Sequence, residues 1–151
     1  MEDSYSKIGH IEILNEYLSN LKVLNNNLYN LHFNVIGEHF FTLHKKLEDY
    51  YKETAEMYDA MAERIKMLDQ YPITSLVQYE EKSTIKSMRS QDFTTKQTYN
   101  ILINDFNFML SFSKELEVYA SKINDYVTGN LMNENILFFE KELWMLTASN
   151  K

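Results

Sequence analysis

The 151-residue sequence contains no cysteine, one proline and three glycines. The absence of cysteine excludes disulfide bonds and thiolate metal ligands, which is compatible with a cytoplasmic location. Proline and glycine interrupt regular structure most often, so their scarcity predicts long, unbroken elements. No apolar run approaches the roughly 20 residues of a membrane-spanning helix. The N-terminus MEDSYSKIGH also lacks the basic and apolar segments of a signal peptide.

The chain is acidic, with 15 Lys and Arg against 22 Asp and Glu and a formal charge of −7. Non-specific binding to DNA depends on basic residues that neutralise phosphates, so this balance disfavours a nucleic-acid partner and favours cations. Apolar residues make up 44% of the chain, which argues against disorder. We expect a single domain over residues 1–151, with a short N-terminal tail over about residues 1–7.

Apolar residues recur at steps of three and four along four long segments, which is the spacing of amphipathic helices. We predict these helices at about Ile8–Val35, His39–Leu68 and Thr94–Ser121, with a fourth beginning near Leu131. The polar connection between the second and the third is predicted to hold a short helix near Ser75–Glu81. This order describes an all-α, ferritin-like four-helix bundle with a short helix in the long crossover connection.

The two-metal site that is usual inside such a bundle is missing from this sequence. It is built partly from Glu-x-x-His pairs, and none of the four histidines has a glutamate three positions before it. Metal chemistry would therefore need other residues. The second predicted helix carries two pairs of candidate ligands, His44 with Glu48 and Asp59 with Glu63, and each pair lies one turn apart on one face.

One chain cannot use both pairs for one ion, because the eleven residues from Glu48 to Asp59 span roughly 16 Å of helix. A symmetric dimer removes this difficulty. The midpoint of positions 44 and 63 is 53.5, and so is the midpoint of positions 48 and 59. A two-fold axis crossing the helix there would bring His44 close to the partner's Glu63, and Glu48 close to the partner's Asp59.

His32 joins this set through the turn IGEH, since the midpoint of positions 32 and 44 is 38. An antiparallel hairpin folded there places His32 alongside His44. The candidate site then consists of His32, His44 and Glu48 from one chain with the partner's Asp59 and the partner's Glu63. Imidazoles and carboxylates without sulfur suit Fe(II), Mn(II) or Zn(II), and the spacing does not choose among them. The alternative is a solvated acidic face on which Glu63 pairs with Lys66.

Around these residues the sequence resembles the Dps miniferritins, bacterial iron-detoxifying proteins that assemble as hollow dodecamers. The strongest part is LHFNVIGEHFFTLHKKLEDYYKETAEMYDAMAERI, which is similar to the family's His-x-x-V-x-G, F-x-x-L-H and D-x-x-A-E-R signature. A second part, NDYVTGN followed by EKELWML, is similar to the family's last helix. The resemblance covers most of the chain.

The resemblance implies a ferroxidase centre shared across a two-fold interface, with ligands at His32, His44, Asp59 and Glu63. Glu48 stands where the family usually has Asp, so its longer side chain is expected to alter the weaker iron position. The implied reaction oxidises two Fe(II) with hydrogen peroxide, which is reduced to water without releasing hydroxyl radical. Fe(III) would then mineralise inside a homododecamer, protecting the cytoplasm from oxidative stress, and Zn²⁺ is a potential substitute for iron.

Two departures from the family pattern bear on function. Members typically carry Gly-Asp-x-x-Thr-x-Asp before the last helix, and its acids help to line the iron pores. Asp125 and Thr128 match this pattern, but Asn130 replaces an acid, which predicts slower iron entry. Members that condense DNA commonly use Lys-rich tails, whereas the tails here offer only Lys7 and Lys151. DNA binding through the tails is therefore not expected.

Two alternative functions stay open on the sequence alone. The first is a nucleoid protein that coats DNA, and the second is a cage that binds Zn²⁺ without turnover. Trp144 or a tyrosine is a candidate to quench radicals, although core packing is the simpler interpretation of Trp144. We expect His10 on the surface, His39 in a capping or solvent-exposed position, and the eight methionines as core filler.

Overall fold

A computed structural model describes residues 6–151 of the protein. Within this range the helices are α1 (Lys7–Asn34), α2 (Phe40–Met67), α3 (Leu76–Lys82), α4 (Thr95–Lys122) and α5 (Tyr126–Ser149). The two-residue strands β1 (Val35–Ile36) and β2 (Phe93–Thr94), which were not predicted, pair in parallel. The four long helices form the bundle and α3 lies in the crossover, which confirms the predicted architecture. Most of the predicted tail over about residues 1–7 lies outside the described residues.

The start of the last helix is the one element boundary that the sequence placed wrongly. It begins at Tyr126, five residues before the predicted Leu131. Asp125 precedes it as the N-cap, and its carboxylate accepts a hydrogen bond from the backbone N–H of Thr128 at 3.1 Å. Such a cap stabilises a helix by about 1 kcal/mol. Gly129 therefore lies inside the helix, where glycine costs about 1 kcal/mol relative to alanine.

The turn between α1 and α2 determines how the two helices face each other. The first helix closes before Gly37, as predicted, and Gly37 has φ of 94°, a backbone conformation that favours glycine. His39 follows with φ of 66° and occupies the N-cap position of α2. The Thr95 hydroxyl donates a hydrogen bond to the backbone carbonyl of Glu38, so the start of α4 is attached to the same turn. The result is a tight antiparallel hairpin.

The core of the bundle is apolar, with a small neutral polar cluster at its centre. Tyr17 is fully buried, and its hydroxyl lies 2.8 Å from the hydroxyl of Ser113. The side-chain amide of Asn135 donates to the same tyrosine oxygen at 3.0 Å. Burial raises the pKa of Tyr17 to about 12, so the phenol stays neutral. Among the described residues, no helix has the length and hydropathy needed to cross a membrane.

Asparagines on α1 hold the long crossover against the bundle. Asn20 accepts from the backbone N–H groups of Thr84 and Ile85, both at 2.9 Å. Asn27 donates to the carbonyl of Lys86 at 2.9 Å and accepts from the N–H of Met88 at 3.0 Å. Asn15 and Asn30 bind further backbone groups of the same connection. These amides satisfy backbone groups that have no helix or sheet partner.

Candidate metal centre

His32 on α1 and His44 on α2 face each other across the hairpin. Their ring centroids are 3.7 Å apart and their planes differ by 19°, so the two imidazoles are stacked. His32 is only 6% exposed and His44 is half-buried. The predicted juxtaposition of these two residues is therefore present in a single chain. Their role as metal ligands stays a prediction.

Each histidine ring is fixed by the backbone of the other. Nδ1 of His32 lies 2.7 Å from the carbonyl oxygen of His44, and Nδ1 of His44 lies 2.8 Å from the carbonyl oxygen of His32. Because a carbonyl oxygen can only accept, each Nδ1 carries the proton and donates it. The neutral ring then keeps a lone pair on Nε2, the atom left to bind a metal. Metal-binding histidines are commonly oriented through such backbone acceptors.

Aromatic side chains pack around the two imidazoles. Tyr51 meets the ring of His32 edge-on at 5.2 Å, and Tyr29 stacks on Tyr51 at 3.9 Å. On the other side, the ring of Phe40 stacks on His44 at 5.3 Å. Such neighbours restrict the rotamers of the imidazoles beyond what their hydrogen bonds achieve. Sequence reasoning missed this arrangement, because helical periodicity identifies Tyr51 only as an apolar-face residue.

Glu48 lies one turn after His44 and is held by two lysines. One of its carboxylate oxygens accepts hydrogen bonds from Lys52 Nζ at 2.8 Å and from Lys45 Nζ at 3.3 Å. The hydrogen bonds from Lys52 and then Lys45 lower the pKa of Glu48 to about 2. The carboxylate is therefore ionised at all physiological pH values. Lys45 also reaches Asp49 at 3.1 Å.

Asp59 and Glu63 lie towards the other end of α2, and both side chains are exposed. The alternative ion pair between Glu63 and Lys66 is not formed within residues 6–151, since the ammonium of Lys66 instead lies 4.5 Å from the ring centroid of Tyr71. No salt bridge in that range engages Asp59 either. Both carboxylates are thus left without a basic partner among residues 6–151.

The structure of one chain brings together part of the candidate set and leaves the rest apart. His32 and His44 are in contact where α1 meets the start of α2, Glu48 lies one turn after His44, and Asp59 and Glu63 lie further along α2. Over the described range 6–151, no group of three or more His, Cys, Asp or Glu side chains is arranged to hold a metal ion. We therefore keep the prediction that the five candidate ligands form one site only when two subunits contribute them.

Comparison with known proteins identifies the family. A family model described as a ferritin-like domain matches residues 11–150. The DNA protection during starvation protein of Helicobacter pylori is 31% identical over 137 residues, covering 91% of this chain and 95% of the relative. Its Bacillus anthracis counterpart, DNA protection during starvation protein 2, is 34% identical over 139 residues, covering 91% and 94%. This chain belongs to the Dps family of miniferritins.

A solved Dps structure extends the likeness to three dimensions. The Dps protein of Vibrio cholerae O1 matches with a TM-score of 0.90 at 30% identity, covering 95% of this chain and 89% of that one. It is described as a member of a broad superfamily of ferritin-like diiron-carboxylate proteins. The family resemblance and the ferritin-like fold of the sequence analysis are therefore both confirmed.

The prediction that His10 lies on the surface of this Dps-family chain is wrong. His10 is 3% exposed, its Nε2 lies 2.8 Å from an oxygen of Asp125, and its ring stacks on Tyr119. The other oxygen of Asp125 accepts from Arg64 at 2.7 Å. The partners of His10 are distant in sequence, and no local pattern around KIGHIE indicates them.

Asp125 is paired inside the chain rather than free at a pore. Burial alone would raise its pKa, but hydrogen bonds from Thr128, His10 and Arg64 outweigh that effect and hold the pKa at about 2. Its side chain is only 9% exposed. The negative charge is compensated within the chain, which weakens its expected contribution to attracting iron. Asn130, which replaces an acid of the family pattern, is exposed.

The core-packing interpretation of Trp144 is also wrong. The side chain is 69% exposed on α5, so it fills no space in the bundle of this Dps-family chain. The methionines are divided: Met57, Met61, Met109 and Met132 are buried, but Met67 is 68% exposed. His39 is exposed, as expected, and its side chain makes no capping hydrogen bond.

Proposed function

We propose that this protein oxidises Fe(II) with hydrogen peroxide at two identical centres of a symmetric dimer and stores Fe(III) inside a homododecamer. The observation that carries the proposal is the His32–His44 pair, whose Nδ1 atoms are fixed by backbone carbonyls and whose Nε2 atoms are left for a metal. The description of the Vibrio cholerae relative as a diiron-carboxylate protein supports the choice of iron. Protection of the cytoplasm from oxidative stress belongs to the same proposal.

The two halves of the site have complementary chemistry. One half offers the two imidazoles and the ionised carboxylate of Glu48, and the other offers the exposed carboxylates of Asp59 and Glu63. Under the two-fold arrangement, the imidazole half faces the partner's Asp59 and the partner's Glu63. Mixed histidine and carboxylate ligands suit Fe(II), which enters as the substrate.

The reaction needs both iron positions at once. Each Fe(II) gives one electron, the O–O bond of one peroxide accepts both, and two protons complete two water molecules. Two Fe(III) ions leave for mineralisation. The protein contributes by holding two metal ions and the oxidant close together, which is catalysis by positioning. The backbone hydrogen bonds of His32 and His44 support this role, because they orient both rings.

An anaerobic Fe(II) titration with limiting hydrogen peroxide tests this function. We expect about two Fe(II) oxidised per peroxide, as a two-metal site requires, with iron and protein eluting together at the size of a dodecamer. Asp59→Ala should abolish the protein-dependent oxidation. Asp92→Ala is the matched control, because Asp92 is an exposed aspartate in the crossover, outside the candidate set.

Three outcomes would count against the proposal or favour one of the alternatives. Iron that precipitates apart from the protein at the uncatalysed rate would exclude a ferroxidase centre. Stoichiometric Zn²⁺ binding that depends on Asp59, without any Fe(II) oxidation, would instead favour the zinc-binding cage. A gel shift at low salt that disappears on adding salt would favour the DNA-coating alternative.

A further inference from the structure

In the described part of the chain, Glu48 is the one candidate carboxylate that already has basic partners. Lys52 lies four residues after it and Lys45 three residues before it, so both lysines lie on the same helix face. Their ammonium groups approach the same carboxylate oxygen, at 2.8 Å and 3.3 Å. Both lysine side chains are largely exposed, at 63% and 66%, and are free to move away.

The two halves of the candidate centre therefore differ in what a metal ion must displace. Asp59 and Glu63 have no salt-bridge partner within residues 6–151, and the Nε2 atoms of His32 and His44 make no hydrogen bond to any residue in that range. At Glu48, by contrast, an incoming cation must displace two ammonium groups and is repelled by both while they stay near. A metal position that includes Glu48 should bind more weakly for this reason.

We propose that Lys45 and Lys52 are internal counter-ions that set the metal affinity of the position beside Glu48. This proposal rests on the proposed function. The lysines neutralise Glu48 in the absence of a metal. When a cation binds Glu48, their side chains rotate away into solvent. Lys45 has a second acceptor in Asp49, at 3.1 Å, which can hold it after it leaves Glu48. The position beside Glu48 then fills after the position beside the histidines.

The expected effect is modest, because exposed ion pairs contribute little individually. Replacing both lysines by glutamine removes two competing charges and keeps hydrophilic side chains of similar length. We expect metal binding at the weaker position to tighten by about threefold to tenfold. The tighter position should be unchanged. Lys45 and Lys52 are positioning residues here, since they act through Glu48.

Co(II) is a suitable probe because it is stable in air and can be titrated by calorimetry without turnover. The titration compares the wild type, Lys45→Gln/Lys52→Gln and the charge-conserving Lys45→Arg/Lys52→Arg. Lys114→Gln is the matched control, because Lys114 is an exposed α4 lysine paired with Glu140 at 3.6 Å. The glutamine variant should gain affinity at the weaker position, whereas the arginine variant and the control should retain the wild-type value.

The possible results distinguish a failure of the counter-ion role from a failure of the metal centre itself. If the wild type binds two Co(II) per centre and the glutamine variant binds the second no more tightly, the counter-ion proposal fails and the metal centre stands. A gain that the arginine variant shows equally would also overturn it, since charge would not be the cause. If the wild type binds no Co(II) at these residues, both proposals fail together.

Discussion

His32 and His44 exchange hydrogen bonds with each other's backbone, Nδ1 to carbonyl oxygen, at 2.7 Å and 2.8 Å. The exchange joins the end of α1 to the start of α2 and fixes one tautomer in both rings. The atoms that orient the two imidazoles all belong to the protein, and neither Nε2 atom is used in these hydrogen bonds. A preorganised half-site leaves less conformational entropy to be lost when metal enters.

The two rings should therefore be coupled energetically in the metal-free protein. We predict that His32→Ala and His44→Ala each destabilise the chain, and that the double variant loses less than the sum. Each single variant already removes the ring stack, so the coupling should be about 0.5 to 1.5 kcal/mol. Urea denaturation of the four metal-free proteins measures it. Strict additivity would show that the rings do not support each other.

Removing an asparagine that holds the crossover should be costly. Asn27 is 1% exposed and binds two partly buried backbone groups, so Asn27→Ala removes the side-chain partner of the Lys86 carbonyl and of the Met88 N–H. We predict a loss of about 1 to 3 kcal/mol in the free energy of unfolding, measured by chemical denaturation. Asn26→Ala is the control, since Asn26 is the exposed neighbour on the same helix. Equal losses in the two variants would contradict the assignment.

The histidine hairpin and the asparagine contacts with the crossover differ in how well the sequence predicts them. The hairpin juxtaposition of His32 and His44 follows from helix periodicity and a short turn, both of which are local. The contacts of Asn27 with the crossover are not predictable in this way, because the acceptor and the donor are backbone groups that every residue carries. His10 was misplaced for a related reason, since its partner Asp125 lies 115 residues away.

The candidate site was predictable in part, and the limit is physical. Ligand type and one-turn spacing select His44 with Glu48 from the sequence, and symmetry suggests how the other half could join. The lysines around Glu48 have helix-neighbour spacing that could have indicated them. The orientation of His32 could not be found, because it depends on a main-chain carbonyl. Trp144 was misjudged because a large aromatic residue on a helix is most often buried.

Asp125 should stabilise the fold in a pH-dependent way. Its folded pKa of about 2 is lower than the value near 4 of an unperturbed aspartate. A depressed folded pKa gives stability that is present above pH 4 and is lost as the pH falls towards 2. We predict that Asp125→Asn costs about 2 kcal/mol at pH 7. The gap between variant and wild type, followed by guanidinium denaturation, should shrink between pH 4 and pH 2.

A constant gap across that range would mean that the loss comes from packing rather than from the carboxylate charge. Asp92→Asn serves as the control, since Asp92 is exposed and makes no salt bridge with any residue between 6 and 151. It should follow the wild type at every pH. The comparison thereby isolates the contribution of the Asp125 carboxylate charge.

Asp105, unlike Asp125, should lower the stability of the folded protein as the pH rises. It is half-buried on α4, no salt bridge within residues 6–151 engages it, and burial raises its pKa to about 6. Because the folded pKa is raised, the folded state gains from protonation below about pH 4 and loses that stability as the pH rises through 6. We predict that Asp105→Asn stabilises the protein by about 1 to 3 kcal/mol at pH 8 and has almost no effect at pH 4. Denaturation midpoints at the two pH values measure this, and the absence of a gain at pH 8 would indicate that a cationic group pairs with Asp105 in the assembled protein.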